Sequence, residues 1–543
     1  MDATSIHKRN ERGFIMEEGK LKRKLSLIDM TFLALGGIIG SGWLFASLVG
    51  ANTAGPSAWI AWIIGAVAVM FLGLVYAELG GALPRSGGII RYPSYSHGPM
   101  VGYLTGFAAL IASSTVPPIE AEAVRQYVSG FVPAIGGGAH PNAAGWVLEL
   151  GLLVAFFFLN YWSVNVFGKV NTIVTTIKFI VPILTVVILF THFQIGNFSS
   201  HGFAPFGFTG IESAVSTAGI IFAFQGFRQS LDFAGEAINP QRNVPLSIIL
   251  SISLAAILYI CLQLVFVGAL PGSALSHGWA AVSFKAPFAN LAGALGIGWL
   301  ASLMYADSMV SPSGTCNIYF GSTSRLTMAW SKTGTFFNLF GKVDKRTGIP
   351  RGALWLVLVL TLFWAIVFPS WGQMVGVVSS ATVVTYIMGP IAARTLRTNA
   401  PGLKRPFRLN GMGILAPIAF VVASLIVYWT GWNIDCWVLA IQVVAWLVYI
   451  GVKAKMPSHV PFAQQLKSSY WLIGYYVMMF VMSYLGTFGK GIWGGGAGII
   501  HGPWDQILVI IFSIGAFYWG VKAGLPKADL DEDAFTDVAA KTA

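Results

Sequence analysis

Lys178 stands alone in the apolar run from Ile173 to Val187, with no acidic residue at helical spacing. A charge at mid-bilayer costs about 2.5–3.5 kcal/mol on insertion scales, so such a residue is a functional candidate by default. A buried lysine without a partner can exist in both protonation states, which suits a proton-coupling group. The alternative is a structural lysine that stays charged and tethers a neighbouring helix. Asp307, followed by Ser308 and Ser311, lies in a later apolar run. It is either a counter-charge for Lys178 or a proton relay, and a close pair would keep Lys178 protonated. Arg228 can bind a carboxylate bidentately, but Asp232 lies four residues on and can pair with it instead. Glu120, Glu122, Arg125 and Gln126 form a band too polar for lipid. Arg125 is the rival arginine for an acidic side chain, with an internal ion pair to Glu122 or Glu120 the favoured reading.

Backbone chemistry is suggested by Gly36-Gly37-Ile38-Ile39-Gly40-Ser41-Gly42, four glycines in seven residues inside the apolar run Leu27 to Val49. Each glycine costs about 1 kcal/mol against alanine in a helix. Opened backbone at that depth survives only where protein buries it or where it lines a watery cavity. Its freed N–H groups and the start of the second half-helix can hold a carboxylate. Close helix packing through small residues is the competing reading. For Ser41 the competing reading is a hydroxyl bonded to its own helix. The sixth apolar run is similarly interrupted at Phe222-Ala223-Phe224-Gln225-Gly226-Phe227-Arg228. Interrupted helices at corresponding positions of two halves point to an inverted-repeat transporter and its binding site, which favours unwinding.

These residues need a membrane frame. The chain of 543 residues is 55% hydrophobic and 10% charged, with a mean hydropathy of +0.71, a polytopic membrane composition. Runs of roughly 18 to 30 apolar residues read as spans. They fall near 27–49, 57–79, 99–131, 145–163, 170–195, 211–235, 245–270, 289–320, 350–369, 371–396, 412–430, 433–452, 470–487 and 505–524. Fourteen spans put both termini on one side. With the N-terminus inside, the outer loops hold only Lys285 and Lys490 of the 33 Lys and Arg. The inner loops hold Arg85, Arg91, Lys332, Lys342, Lys345, Arg346, Lys404, Arg405 and Arg408. That asymmetry predicts cytoplasmic termini and explains the net charge of +12 without a nucleic-acid partner. The basic first 24 residues read as a tail and not a signal peptide. Asp529, Asp531, Glu532 and Asp533 predict a disordered acidic tail. Cys261, Cys316, Cys436 and the eight histidines are scattered, so neither disulfide framework nor metal is predicted. Gly36–Gly42 follows no strand and is no dinucleotide loop. No cofactor is expected.

"GGIIGSGWLF" (Gly36–Phe45), "LPRSGG" (Leu83–Gly88), "FAFQGF" (Phe222–Phe227) and "GEAINPQRNVP" (Gly235–Pro245) resemble the amino acid–polyamine–organocation permeases. So does the run from Ser324-Arg325 through "MAWSKTG" to Pro350. Within that superfamily, "GLVYAELGGALPRSGGIIRYPSYSHG" (Gly73–Gly98) and "HGFAPFGFTG" (His201–Gly210) are similar to bacterial aspartate–proton symporters. The resemblance implies an all-α, inverted-repeat (5+5) fold with discontinuous helices 1 and 6. The repeats would occupy 25–200 and 205–400, with four additional helices over 401–524 and tails at 1–24 and 525–543. It implies that N–H groups at Gly40, Ser41 and Gly42 hold the substrate's α-carboxylate. Carbonyls at Ile38, Phe222 and Gln225 would hold its ammonium, Phe222 would cap it, and Phe224 would join the substrate-binding set. It also implies a fifth-span coupling lysine at Lys178, bridging the first and eighth spans.

The function expected is proton-coupled amino acid uptake across the cytoplasmic membrane by alternating access, with aspartate the favoured substrate. A permease or exchanger for neutral or cationic amino acids is the alternative. A permease-like sensor is less favoured, and an enzyme finds no nucleophile–base pair. Aspartate entering as an anion is opposed by about 2.3 kcal/mol per 100 mV. One proton makes entry electroneutral, the case that a single switching Lys178 fits; electrogenic accumulation requires at least two.

Overall fold

The computed structural model describes residues 24–530 except 137–140, 163, 345, 453–457, 492 and 493. Most of the basic tail and the acidic residues from 531 onward therefore lie outside the described residues. The described chain is helical, with one isolated parallel bridge between Leu25 and Ala237. It begins with α1 (Leu27–Ile38), α2 (Gly42–Ala54), α3 (Ala58–Ala82), α4 (Gly88–His97), α5 (Pro99–Ser114), α6 (Val116–Val128), α7 (Ala143–Trp162) and α8 (Val164–Phe190). Next come α9 (Gly207–Thr217), α10 (Ile220–Phe224), α11 (Gln229–Asp232), α12 (Pro240–Ala269), α13 (Pro287–Ala294) and α14 (Gly298–Lys332). The last are α15 (Arg351–Val367), α16 (Trp371–Tyr386), α17 (Met388–Asn399), α18 (Met412–Thr430), α19 (Trp432–Val452), α20 (Phe462–Leu485) and α21 (Trp504–Lys522).

Among the described residues, eight helical stretches are long and apolar enough to cross a membrane, or nine with one bent pair counted as a span. This is an integral membrane protein. Three shorter apolar helices, including Leu27–Ile38, fall below spanning length on their own. At 1.5 Å per residue a helix that breaks in mid-run covers only part of the bilayer.

The break after α1 is local. Ser26 begins α1 with a reciprocal cap, its hydroxyl accepting from the Asp29 N–H while the Asp29 carboxylate accepts from the Ser26 N–H. The ladder runs until Ile39, which leaves helical geometry at φ −82° and ψ 89°. α2 resumes at Gly42. In the second half the bend falls at Gly219 (φ +85°), where α9 meets the stretch Ile220–Asp232 at 43°. That is earlier than the Phe222–Arg228 stretch expected to open, because Gly219 takes the left-handed conformation without a Cβ penalty. Gln225–Arg228 instead tightens into a 3₁₀ turn.

α12 packs along α3, and α14 along α6 and α8, around these two segments. Trp62 Nε1 donates to Gln263 Oε1 (2.9 Å), and Gln263 Nε2 donates to the Ser47 carbonyl (3.1 Å), tying α3, α12 and α2 in a buried core.

Candidate substrate and proton site

The two interrupted segments meet backbone to backbone. A Cβ on Gly226 would lie 2.3 Å from the Gly37 carbonyl carbon and the Ile38 nitrogen. One on Gly42 would lie 3.1 Å from Ala223 Cβ. Glycine at these positions lets the end of α1 and the start of α2 touch the 3₁₀ turn and α10, the close approach for which a missing side chain is needed.

Lys178, fully buried on α8, reaches this junction. Its Nζ donates to the Gly36 carbonyl (2.6 Å) and to Thr315 Oγ1 on α14 (2.7 Å). Thr315 Oγ1 in turn lies 2.9 Å from the Gly36 oxygen and 3.2 Å from the Ile39 oxygen. The ammonium therefore binds a carbonyl oxygen that the broken ladder leaves over, together with the hydroxyl that bridges it to the Ile39 carbonyl. Among the described residues, no ion pair joins Asp307 to Lys178. The Asp307 oxygens are buried without a close hydrogen bond and act on the lysine only through space.

Two of the N–H groups, those of Gly40 and Ser41, and all three carbonyls expected to grip a zwitterion already have protein partners. Ser41 N–H donates to Glu120 Oε2 (2.7 Å), and Ser41 Oγ accepts from Trp371 Nε1 (2.9 Å). The Ile38 carbonyl accepts from Tyr259 OH (2.8 Å) and from the Gly40 N–H (3.1 Å). The Phe222 carbonyl accepts from the Gln225 N–H within the 3₁₀ turn. The Gln225 carbonyl accepts from Tyr386 OH (3.1 Å), and its side-chain oxygen accepts from Thr382 Oγ1 (2.7 Å). Phe222 and Phe45 both pack on Trp371, with ring centroids 6.2 and 5.0 Å away. Phe224 turns instead toward Trp62 and Tyr259.

The two candidate arginines sit differently. Arg125 makes a bidentate pair with Glu122 (2.5 and 2.6 Å), approaches Glu149 at 3.8 Å and donates to the Gly136 carbonyl. It is thus held in a local ion cluster, with Glu122 and not Glu120 as its partner. Arg228 lies 3.4 Å from Asp232, donates to Ser113 Oγ and faces the Tyr319 ring. Its Nε lacks an aligned hydrogen bond, so the pairing with Asp232 is loose.

Sequence reasoning did not single out Thr315, Tyr259, Trp371 or Tyr386. Each is an ordinary residue for an apolar helix, and each touches the breaks from far along the chain. Glu120 stands out in the sequence as part of a polar band and as a partner for Arg125, not as a neighbour of the first break. A cavity of about 240 Å³ lies elsewhere, between α19 and α20, with Leu439, Val443 and Phe480 in its lining. It offers no charged group to orient a zwitterion.

Three relatives and one family profile extend these observations. The aspartate-proton symporter of Bacillus subtilis (strain 168) is 47% identical over 522 residues, 95% of this chain and 99% of that protein. The glutamate/serine transporter AimA of the same organism is 38% identical over 514 residues, 93% of this chain and 94% of that one. Its branched-chain amino acid permease BcaP is 24% identical over 443 residues, 79% and 92% of the two chains. Permeases move a substrate without changing it chemically, so this chain is a carrier and not an enzyme. The family profile for amino acid permeases matches residues 25–482, from the foot of the first broken helix almost to the end of α20, and this chain belongs to that family.

Proposed function

We propose that this protein is a proton-coupled amino acid symporter of the cell membrane that takes up aspartate by alternating access. The observation that carries the reading is Lys178, a buried cation bonded to the carbonyl that the first helix break sets free. In this scheme the backbone at Gly40, Ser41 and Gly42 takes the α-carboxylate. Carbonyls at Ile38, Phe222 and Gln225 take the ammonium, and Phe222 covers it. Arg228 reads the side-chain carboxylate by exchanging its loose hold on Asp232. Lys178 carries the coupled proton, with Asp307 in electrostatic reach. When Lys178 is neutral it loses its grip on Gly36 and Thr315, and the first helix is free to move against α14.

The architecture that fits is fourteen spans with both termini cytoplasmic, supported by the distribution of Lys and Arg between loops. Two inverted five-helix repeats over 25–200 and 205–400 and four further helices over 401–524 accord with the paired breaks. The relative that transports glutamate and serine favours a second reading, in which the substrate range extends to those amino acids.

Uptake into proteoliposomes of labelled aspartate, glutamate, leucine and arginine, with and without an acid-outside pH gradient, tests the function. Aspartate should accumulate only with the gradient, and glutamate should compete. Arg228→Ala should weaken aspartate more than serine. Saturable arginine uptake indifferent to excess aspartate would overturn the substrate assignment, and equal losses in the variant would make Arg228 structural.

A further inference from the structure

Glu120 is buried on α6, far along the chain from the first break, yet its carboxylate lies on that break. Oε2 accepts the Ser41 N–H at 2.7 Å. Among the described residues Oε1 has no hydrogen-bond partner, and it lies so close that a Cβ on Gly40 would come within 2.6 Å of it. The same Cβ would come within 2.8 Å of Thr315 Oγ1, the hydroxyl that Lys178 holds. A protein carboxylate thus sits at the start of α2, on the N–H proposed for the substrate's α-carboxylate. Two ionised carboxylates cannot share one N–H in a low-dielectric site, because like charges at contact disfavour each other's charged form.

We propose that Glu120 is a built-in competitor for the substrate carboxylate, displaced when it takes up a proton, and so a second coupling site beside Lys178. The inference rests on the zwitterion site proposed above. A proton from the outer solution joins the Glu120 carboxylate, and the hydrogen bond from Ser41 N–H to Glu120 breaks. That N–H then bonds the substrate's α-carboxylate. On the inner side the proton leaves, and ionised Glu120 retakes Ser41 N–H and expels the substrate. The charged or titratable groups that act on Glu120 come from three elements: Lys178 on α8, Tyr259 on α12, and Cys316 and Tyr319 on α14. Asp307, also on α14, acts on Lys178. Of these, Lys178 carries the opposite charge, which links the two coupling sites electrostatically. Carrying two protons with each aspartate makes entry electrogenic, in place of the one-proton balance expected for Lys178 alone.

The test is aspartate binding and current with the full-length chain, in detergent and in proteoliposomes, for wild type, Glu120→Gln and Glu120→Ala. Ionisation of a competing carboxylate weakens apparent affinity by up to about tenfold per pH unit. Wild-type affinity should therefore fall as pH rises from 5.5 to 8, and aspartate should draw inward current at acidic pH. In Glu120→Gln, affinity at pH 8 should improve at least about tenfold, and the current should vanish while gradient-driven uptake persists. Glu120→Ala, which leaves Ser41 N–H unclaimed, should behave alike and serves if the glutamine variant does not fold. A variant that keeps the wild-type pH profile or current, or folds without binding aspartate, overturns the proposal. So does wild-type affinity that stays constant with pH. Wild type that binds no aspartate at any pH fails the transport reading instead, and the two failures are distinguishable.

Discussion

Lys178 bonds a main-chain oxygen and a hydroxyl, both uncharged, so its interaction with α1 depends on its own proton. Lys178→Ala removes the charge and both donors. Exchange of external for internal aspartate should continue, while accumulation driven by a pH gradient should fall to background. Normal accumulation in that variant would remove Lys178 from coupling. What was legible at this scale followed from cost. A lone cation in an apolar run and a glycine cluster both pay a penalty that an ordinary span avoids, so both stood out in the sequence. Thr315, Tyr259 and Trp371 carry no such penalty, and their contacts with Gly36, Ile38 and Ser41 bring together distant parts of the chain. Spacing along one helix cannot reveal such partners. The same limit applies to Glu120, whose nearest charged neighbours in sequence are Glu122 and Arg125 but whose hydrogen bond goes to Ser41.

At the scale of elements, the breaks differ in mechanism. The first opens the ladder at Ile39, and the second turns on the positive φ of Gly219 and then tightens through Gln225–Arg228. The apolar runs located both helices, but the polar and glycine residues of Phe222–Arg228 pointed to an opening later than the bend at Gly219, because a 3₁₀ turn and an unwound segment share the same residue types. Gly226 fixes their contact. Alanine there puts a carbon 2.3 Å from backbone atoms of Gly37 and Ile38, which no rotamer change relieves. Gly226→Ala should lower stability by about 1–3 kcal/mol as an overpacked core does, and should abolish uptake. Gly515→Ala, on an open face of α21 with nothing within 4 Å of the added carbon, should leave melting temperature and uptake near wild type. Comparable melting temperatures for the two variants would show that the two breaks separate readily and are not packed as described.

Across the whole molecule, the last helices are built into the body. Ser216 Oγ donates to the Ile426 carbonyl (2.8 Å), Asp435 accepts from Ser380 (3.0 Å) and Ser483 (2.8 Å), and Leu525 N–H donates to the Ser96 carbonyl (2.8 Å). Movement is therefore expected where the two broken helices meet the rest at their ends. At one end a single loop gathers three parts of the chain. The Lys24 and Leu25 N–H groups donate to the Glu236 carbonyl (2.8 and 3.0 Å), and Ile238 N–H donates to the Leu25 carbonyl (2.7 Å). The Glu236 carboxylate accepts from Arg325 Nε of α14 (2.8 Å), while the Arg325 guanidinium covers the Phe233 ring at 4.5 Å. The topology proposed above puts this clasp on the cytoplasmic side. In the alternating-access scheme proposed above, α1 parts from α14 to release substrate inward, and the clasp would oppose that movement. A charge-assisted hydrogen bond contributes about 1.5–3 kcal/mol, so Arg325→Ala should raise the open population roughly tenfold or more. Hydrogen exchange at the Leu25 and Ile238 amides should accelerate by that factor, while the buried amides of α12 stay protected. Unchanged exchange at Leu25 and Ile238 would mean that the backbone bridge alone holds this end shut and that Arg325 has no part in gating.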